Sequence, residues 1–379
     1  MIHYFDNCAT TRMDDEIARI TAEYATVNYF NPSARSTFSL NVANDLNSAR
    51  LSIAKCLGVN DKELFFTSGG TESDNLAVFG SLRTKKGNIV VTAIEHSAVY
   101  NAVMELSNRG YEVRLANVTS DGHIDADDFV GKIDENTLLA CFMHVSNETG
   151  AVNDIKTLNA RIKSVNRKTV TFSDGVQAVG KIPVNLRNLG VDLYSFAGHK
   201  IHASKGIGCL YVKTGTRLNP VVFGGGQERG MRSGTEYVGG VIGLGRAIEL
   251  AVANLEGNAA NYCVYKQIIR NGLSDIERWR ENCIDEVSPA IMSLAFADIK
   301  GEVLLHMLEK YDIIVGTGSA CSSKNKQSRM AKAIGLDGNY SEGVLRISFS
   351  KYNTVEEVNL LAEKLALSVK ELRKIMLGR

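Results

Sequence analysis

Short runs of consecutive apolar residues, each closed by a polar cluster, recur in this chain from about residue 63 to 215. Leu64-Phe65-Phe66, Ile89-Val90-Val91, Leu138 to Met143, Val170-Thr171-Phe172, Val191 to Phe196 and Gly208 to Val212 are short and continuous, and they read as buried strands. Helical stretches separate them. Strands alternating with helices predict a mostly parallel sheet covered on both faces. Such folds bind ligands where strands end, which draws attention to the polar clusters. After about residue 255 the pattern changes to a long helical stretch, strands near Ile291 to Phe296 and Val344 to Phe349, and a last helix from about Thr354 to Met376. Thr354 and Glu357 have the spacing of a capping box. Val355, Val358, Leu361, Leu365, Val369, Leu372 and Met376 then share one helix face, read as packing.

A chain of 379 residues is too long for one small core, so a large α/β domain plus a smaller one is expected. Hydrophobic residues at 44% and charged residues at 22% are ordinary for a soluble globular protein. A net charge of +1 offers no electrostatic footprint for nucleic acid or an anionic membrane. The start, Met1-Ile2-His3-Tyr4-Phe5-Asp6, lacks the basic and apolar regions of a signal peptide. No apolar run reaches the ~18 residues of a membrane span. The seven cysteines are scattered and include no Cys-x-x-Cys pair, which argues against disulfides and zinc. A reducing cytoplasm fits that usage, and no metal site is expected.

Candidate chemistry sits at the strand ends. Lys200, in Ser195-Phe196-Ala197-Gly198-His199-Lys200, follows an apolar strand. An amine buried there favours its neutral, nucleophilic form and suits Schiff-base chemistry. Asp174 ends the upstream strand Thr169 to Ser173. A lysine and an aspartate, each at a strand end, form the pairing that pyridoxal 5'-phosphate (PLP) requires, because the carboxylate keeps the pyridine nitrogen protonated. Asp174 suits a helix N-cap equally well. Gln177 reads either as a donor to a ring oxygen or as a solvated side chain.

Phe66 to Asn75 follows a strand and opens a helix; Gly69, Gly70 and Thr71 read as an anion cradle or as a capped turn. His96 follows a strand and has the chemistry to stack on a flat cofactor and shuttle protons, or a structural role. The glycine-dense, cationic stretch Gly224 to Thr235 suits a phosphate, an adjoining subunit or a flexible surface. Cys321 lies among small, polar and basic neighbours that favour thiolate. Cys8 also sits in a loop-like segment. Arg346, a charge inside a strand, is suited to a substrate carboxylate or to a structural ion pair.

Asp6-Asn7-Cys8-Ala9-Thr10-Thr11, Thr67-Ser68-Gly69-Gly70-Thr71-Glu72-Ser73, Glu95-His96, Asn147-Glu148-Thr149-Gly150, Asp174-Gly175-Val176-Gln177-Ala178, Gly198-His199-Lys200, Arg232-Ser233-Gly234-Thr235 and Gly318-Ser319-Ala320-Cys321 occur in that order. As a set they resemble cysteine desulfurases of the NifS/IscS type, in the class V aminotransferase-like group of fold-type I PLP enzymes. The resemblance runs from the N-terminus to the last helix. It implies a PLP-binding domain over 16–255, with 1–15 and 256–379 forming a smaller α+β domain that carries the cysteine loop. It implies a homodimer that converts L-cysteine to L-alanine and passes the sulfur, as a persulfide on Cys321, to a protein acceptor in iron–sulfur cluster assembly or in tRNA or cofactor thiolation. A selenocysteine lyase or a class V aminotransferase is the alternative.

By that resemblance Lys200 holds PLP and moves the α-proton, Asp174 pairs with the ring nitrogen, Gln177 with the phenolic oxygen, and His96 stacks on the ring. Gly70, Thr71, Ser195 and His199 lie at the cofactor, with Thr235 reaching it from the other subunit. Asn147 and Arg346 hold the substrate carboxylate. The chain departs from the family pattern at Ala197, where a phosphate-binding serine is usual, at Ser146, at His202-Ala203-Ser204, and in the basic stretch after Cys321 that contains Lys324 and Lys326.

Overall fold

The computed structural model describes residues 2–82, 86–317 and 328–377. Its strands are β1 (His3–Tyr4), β2 (Leu64–Thr67), β3 (Asn88–Thr92), β4 (Glu112–Ala116), β5 (Thr137–Met143), β6 (Val170–Asp174), β7 (Leu193–Ala197), β8 (Gly208–Val212), β9 (Trp279–Glu281), β10 (Ile291–Phe296), β11 (Ile313–Ile314) and β12 (Val344–Ser348). A seven-stranded sheet has the order β2-β8-β7-β6-β5-β3-β4. Its pairs from β7 through β6, β5 and β3 to β4 are parallel, and β8 runs antiparallel to both neighbours. The mostly parallel sheet read from the sequence is therefore present. The strand expected at Val191 begins at Leu193 and extends through Ala197.

Helices cover both faces, so β2, β3, β7 and β8 are buried along their whole length. On one face the helices Thr37–Leu57 and Val238–Ala253 pack Val42, Leu46, Ile53, Leu244 and Ile248 against the sheet. The first of these starts where the Ser36 side chain accepts the Ser39 N–H, and stops at Gly58 with φ +72°. Glycines in the second let the helix Asp15–Thr26 approach closely. A Cβ at Gly239 would stand 2.9 Å from the Thr21 carbonyl oxygen. On the other face Leu76, Val99 and Val103 pack from the helices Gly70–Gly80 and Ser97–Asn108.

A second, antiparallel sheet has the order β12-β10-β9. The parallel pair β1 and β11 adjoins it, and Ser348 donates its N–H to the Phe5 carbonyl at 2.7 Å. Phe5, Ile269, Leu294, Phe296, Ile347 and Phe349 form its core with the last helix, Val355–Leu377. Both halves of the expected capping box are made: Thr354 N–H to Glu357 at 3.1 Å and Glu357 N–H to the Thr354 hydroxyl at 3.3 Å. Val358, Leu361, Leu365, Val369 and Leu372 are buried as expected, but Val355 in the first turn is 43% exposed. Among the described residues no single helix is long and apolar enough to cross a membrane.

Candidate active site

The carboxyl ends of the parallel strands converge on a cavity of about 400 Å³. His96 follows β3 and Asn147 follows β5, on either side of the point where strand order reverses, the usual ligand crevice of open α/β sheets. Asp174 closes β6, and Lys200 follows β7 after one turn, Gly198–Lys200. Lys200, Asp174, His96, Asn147, Thr71 and Arg346, distant in sequence, all line this one space.

Lys200 donates to the carbonyl oxygens of Cys8 and of Ala9, the latter at 2.8 Å. Burial, with the charge of neighbouring Lys181, lowers its pKa to about 8. That shift raises the neutral fraction at neutral pH by more than about a hundredfold over a solvated lysine. Asp174 is buried and accepts the Val176 N–H at 2.9 Å; burial raises its pKa, while His96 and Lys200 oppose the rise. His96 borders the open cavity as the N-cap of the helix Ser97–Asn108, its ring nitrogen accepting the Ala98 N–H at 3.2 Å. Enclosure lowers its pKa, so its imidazole is neutral at neutral pH.

One end of the cavity is built for an anion. The helix Gly70–Gly80 opens into it, and the residue before it, Gly69, supplies no side-chain cap. Its first N–H groups and dipole thus point at the space. The close backbone approach needs glycine, because a Cβ at Gly208 would meet Gly69 Cα at 2.7 Å. His199 lines this region, hydrogen-bonded to Thr10 at 3.1 Å, and burial lowers its pKa to about 4. It acts there as a neutral polar group. Ala197 also lines the cavity and has no hydroxyl to offer.

Arg346 enters from β12. It donates to the Asn147 carbonyl at 2.8 Å and to the Asp6 carboxylate at 2.6 Å, and its Nε has no partner. The ion pair read as an alternative is present, and the guanidinium faces the cavity at the same time.

Ser195 does not line this cavity, and neither does Thr235, which the resemblance assigns to the other subunit's site. Ser195 is fully buried, and its hydroxyl donates to Asp74 at 2.6 Å rather than facing the cavity. Thr235 is exposed and lines a separate groove with Glu236 and Tyr237. Cys321 lies outside the described residues, as do Lys324 and Lys326. Gln177 lines the cavity but is buried, donating to the Cys8 carbonyl at 3.0 Å and accepting from Lys181.

Several residues join the site without having been singled out. Cys8, noted only as part of a loop, is 2% exposed and lends its carbonyl to both Lys200 and Gln177. Glu95 is buried in the wall, one oxygen accepting from Thr92 at 2.7 Å and from the Met143 N–H at 3.0 Å, the other unpartnered. Burial pushes its pKa to about 8. Asp74 and Arg329 also line the cavity, the Arg329 guanidinium lying 3.8 Å above the Tyr100 ring. The signal in the sequence was an acid next to a site residue, as in Glu95-His96.

The donor set suits PLP on the structure's own terms. It offers an uncapped helix N-terminus for a phosphate, a buried acid for a pyridine nitrogen and a depressed amine for the aldehyde. Comparisons agree. The model of the family "Aminotransferase class-V" matches residues 3–361. The chain is 37% identical over 377 residues to a cysteine desulfurase of Nostoc sp., covering 98% of this chain and 94% of that protein. It is 36% identical over 382 residues to the cysteine desulfurase IscS of Mannheimia succiniciproducens, with the same coverage. Among solved structures, a NifS-like protein superposes with a TM-score of 0.92 at 35% identity, covering 98% of this chain and 100% of that one. SspA, solved in complex with cysteine, superposes with a TM-score of 0.80 at 28% identity, covering 93% of this chain and 99% of that one.

Proposed function

Since the chain belongs to the class-V aminotransferase family, we propose that it is a PLP-dependent cysteine desulfurase that converts L-cysteine to L-alanine and leaves the sulfur on Cys321. The observation that carries this reading is the placement of Lys200 and Asp174 in one cavity beneath an uncapped helix N-terminus. In this reading the PLP-binding part is 16–255, and 1–15 with 256–379 carries the cysteine loop.

Lys200, Asp174, the Gly70–Thr71 turn, His199 and Gln177 would hold the cofactor. When bound, it supplies an electron sink for the substrate α-carbon. Lys200, with its depressed pKa, takes and returns the α-proton. His96, neutral at the cavity edge, moves a second proton. Arg346 and Asn147 fix the substrate carboxylate, and the Asp6 ion pair holds the guanidinium in place. The Cys321 thiolate attacks the substrate sulfur as the carbon–sulfur bond breaks. The products balance: cysteine and enzyme thiol give alanine and enzyme persulfide. A protein acceptor then takes the sulfur.

A homodimer goes with this reading and brings Thr235 of one protomer toward the other's site. The exposed apolar side chains Tyr29, Phe38 and Phe223 are suited to such an interface.

The test is to supply cysteine and reductant without oxygen and to quantify alanine and sulfide together. Wild type should form both in equal amounts. Cys321→Ala should lose nearly all of each, and Lys200→Ala should lose all of each. Full alanine formation by Cys321→Ala would contradict the reading.

A further inference from the structure

The proposed chemistry uses Asp174 and leaves a second buried acid beside it without a role. Asp74, on the helix Gly70–Gly80, is 1% exposed; Asp174, at the end of β6, is 6% exposed. A carboxylate oxygen of each and a ring nitrogen of His96 lie within 4.8 Å of one another. Both acids line the cavity. Two carboxylates so close and so buried do not both ionise, and one keeps a proton.

The surroundings decide which. Asp174 accepts an N–H from Val176 and faces His96 and Lys200, where a proton held by either partner favours its anion. Asp74 is bonded to the Ser195 hydroxyl on β7 and faces two acids, Asp174 and Glu95, with the Cys141 thiol of β5 nearby. Burial and the Asp174 charge push the Asp74 carboxyl well above the usual range.

We propose that Asp74 and Asp174 share one proton, Asp74 being the acid and Asp174 the anion, so that Asp74 is a positioning residue that leaves a single negative charge facing the cofactor's ring nitrogen. The ring-nitrogen half rests on the cofactor proposed above; the shared proton does not. Ser195 gains a role here too, since its hydrogen bond fixes the orientation of Asp74.

An amide at position 74 copies a protonated acid in shape and charge. An acid whose folded-state pKa is raised contributes stability below its unfolded pKa, and that contribution is lost as pH rises through the folded pKa. Asp74→Asn lacks this loss. The experiment is thermal unfolding of the cofactor-free full-length chain, wild type against Asp74→Asn, from about pH 5 to about pH 9. Cofactor affinity is measured alongside by fluorescence titration with pyridoxal phosphate.

The gap in melting temperature in favour of Asp74→Asn should widen as pH rises, and its cofactor affinity should stay within about threefold of wild type. Asp174→Asn should lose at least about tenfold in affinity. A gap that does not change with pH, or an Asp74→Asn affinity as poor as that of Asp174→Asn, overturns the proposal. If Asp74→Asn does not fold, Asp74→Ser is neutral as well and must show the same widening gap. If wild type binds no pyridoxal phosphate, the cofactor reading fails while the melting curves still decide the shared proton.

Discussion

Arg346 on β12 and Asp6 in the N-terminal loop form an ion pair at 2.6 Å, with side chains 8% and 18% exposed. The pair ties the first residues of the chain to the second sheet and aims a guanidinium into the cavity. Arg346→Ala leaves Asp6 without its counter-charge, and such a loss costs about 3 kcal/mol. Denaturant unfolding should show that loss. At saturating cofactor the KM for L-cysteine should rise by at least about tenfold. Arg346→Lys should recover part of the stability and little of the KM, because lysine lacks the planar fork.

Lys181 is 9% exposed, and its charge is among the causes that hold down the pKa of Lys200. Lys181→Met removes that repulsion, so the Lys200 pKa should rise above about 8. The alkaline-going limb of the rate profile, which reports neutral Lys200, should move to higher pH. A limb that stays in place would show that the Lys181 charge does not hold down the Lys200 pKa.

Glu228 anchors the glycine-dense loop from below. It pairs with Arg50 at 2.7 Å and accepts the Phe66 N–H at 3.0 Å, with side chains 4% and 7% exposed. Arg50 also lies 4.4 Å over the Phe66 ring and donates to the Leu64 carbonyl at 2.7 Å. Glu228→Ala strands a buried guanidinium and should cost about 3–5 kcal/mol, read by denaturant unfolding. The stretch Gly224 to Thr235 is thus held at this point, although its composition read equally well as a flexible loop.

The parts of the fold and site that were legible share a physical origin. Interior strands are apolar on both faces, so β5, β6, β7 and β8 announced themselves, and Asp174 and Lys200 stood out as charges at the end of β6 and after β7. The edge strand β4, Glu112–Ala116, escaped notice because it is partly solvated and carries Glu112 and Arg114. The double burial that marks β7 also hides which face each residue takes, so the turn of Ser195 toward Asp74, rather than toward the cofactor site that the resemblance implies, is not legible in the sequence. Asp74 and Glu95 were passed over because an acid on a helix or after a strand normally faces water. The place of Cys8 beside Lys200 depends on a contact between residues far apart in the chain.

His96 should matter for rate more than for binding. His96→Gln should slow alanine formation by about a hundredfold, the usual scale of a lost acid–base group. Cofactor content, read by absorbance, should stay near wild type. A variant that purifies without cofactor would assign His96 to binding instead.

The basic stretch after Cys321 is expected to select an acidic or otherwise unusual sulfur acceptor. Replacing Lys324 and Lys326 by Ser should slow transfer to that partner and leave alanine formation with a small thiol unchanged. Equal effects on both reactions would rule this out.

The central claim is a covalent bond between pyridoxal phosphate and the amine of Lys200. Borohydride reduction of the loaded protein, followed by peptide mapping, tests it most directly. The account predicts a pyridoxyl adduct on the peptide containing Lys200 and none on the peptide containing buried Lys181. An adduct on Lys181, or on neither lysine, would contradict it.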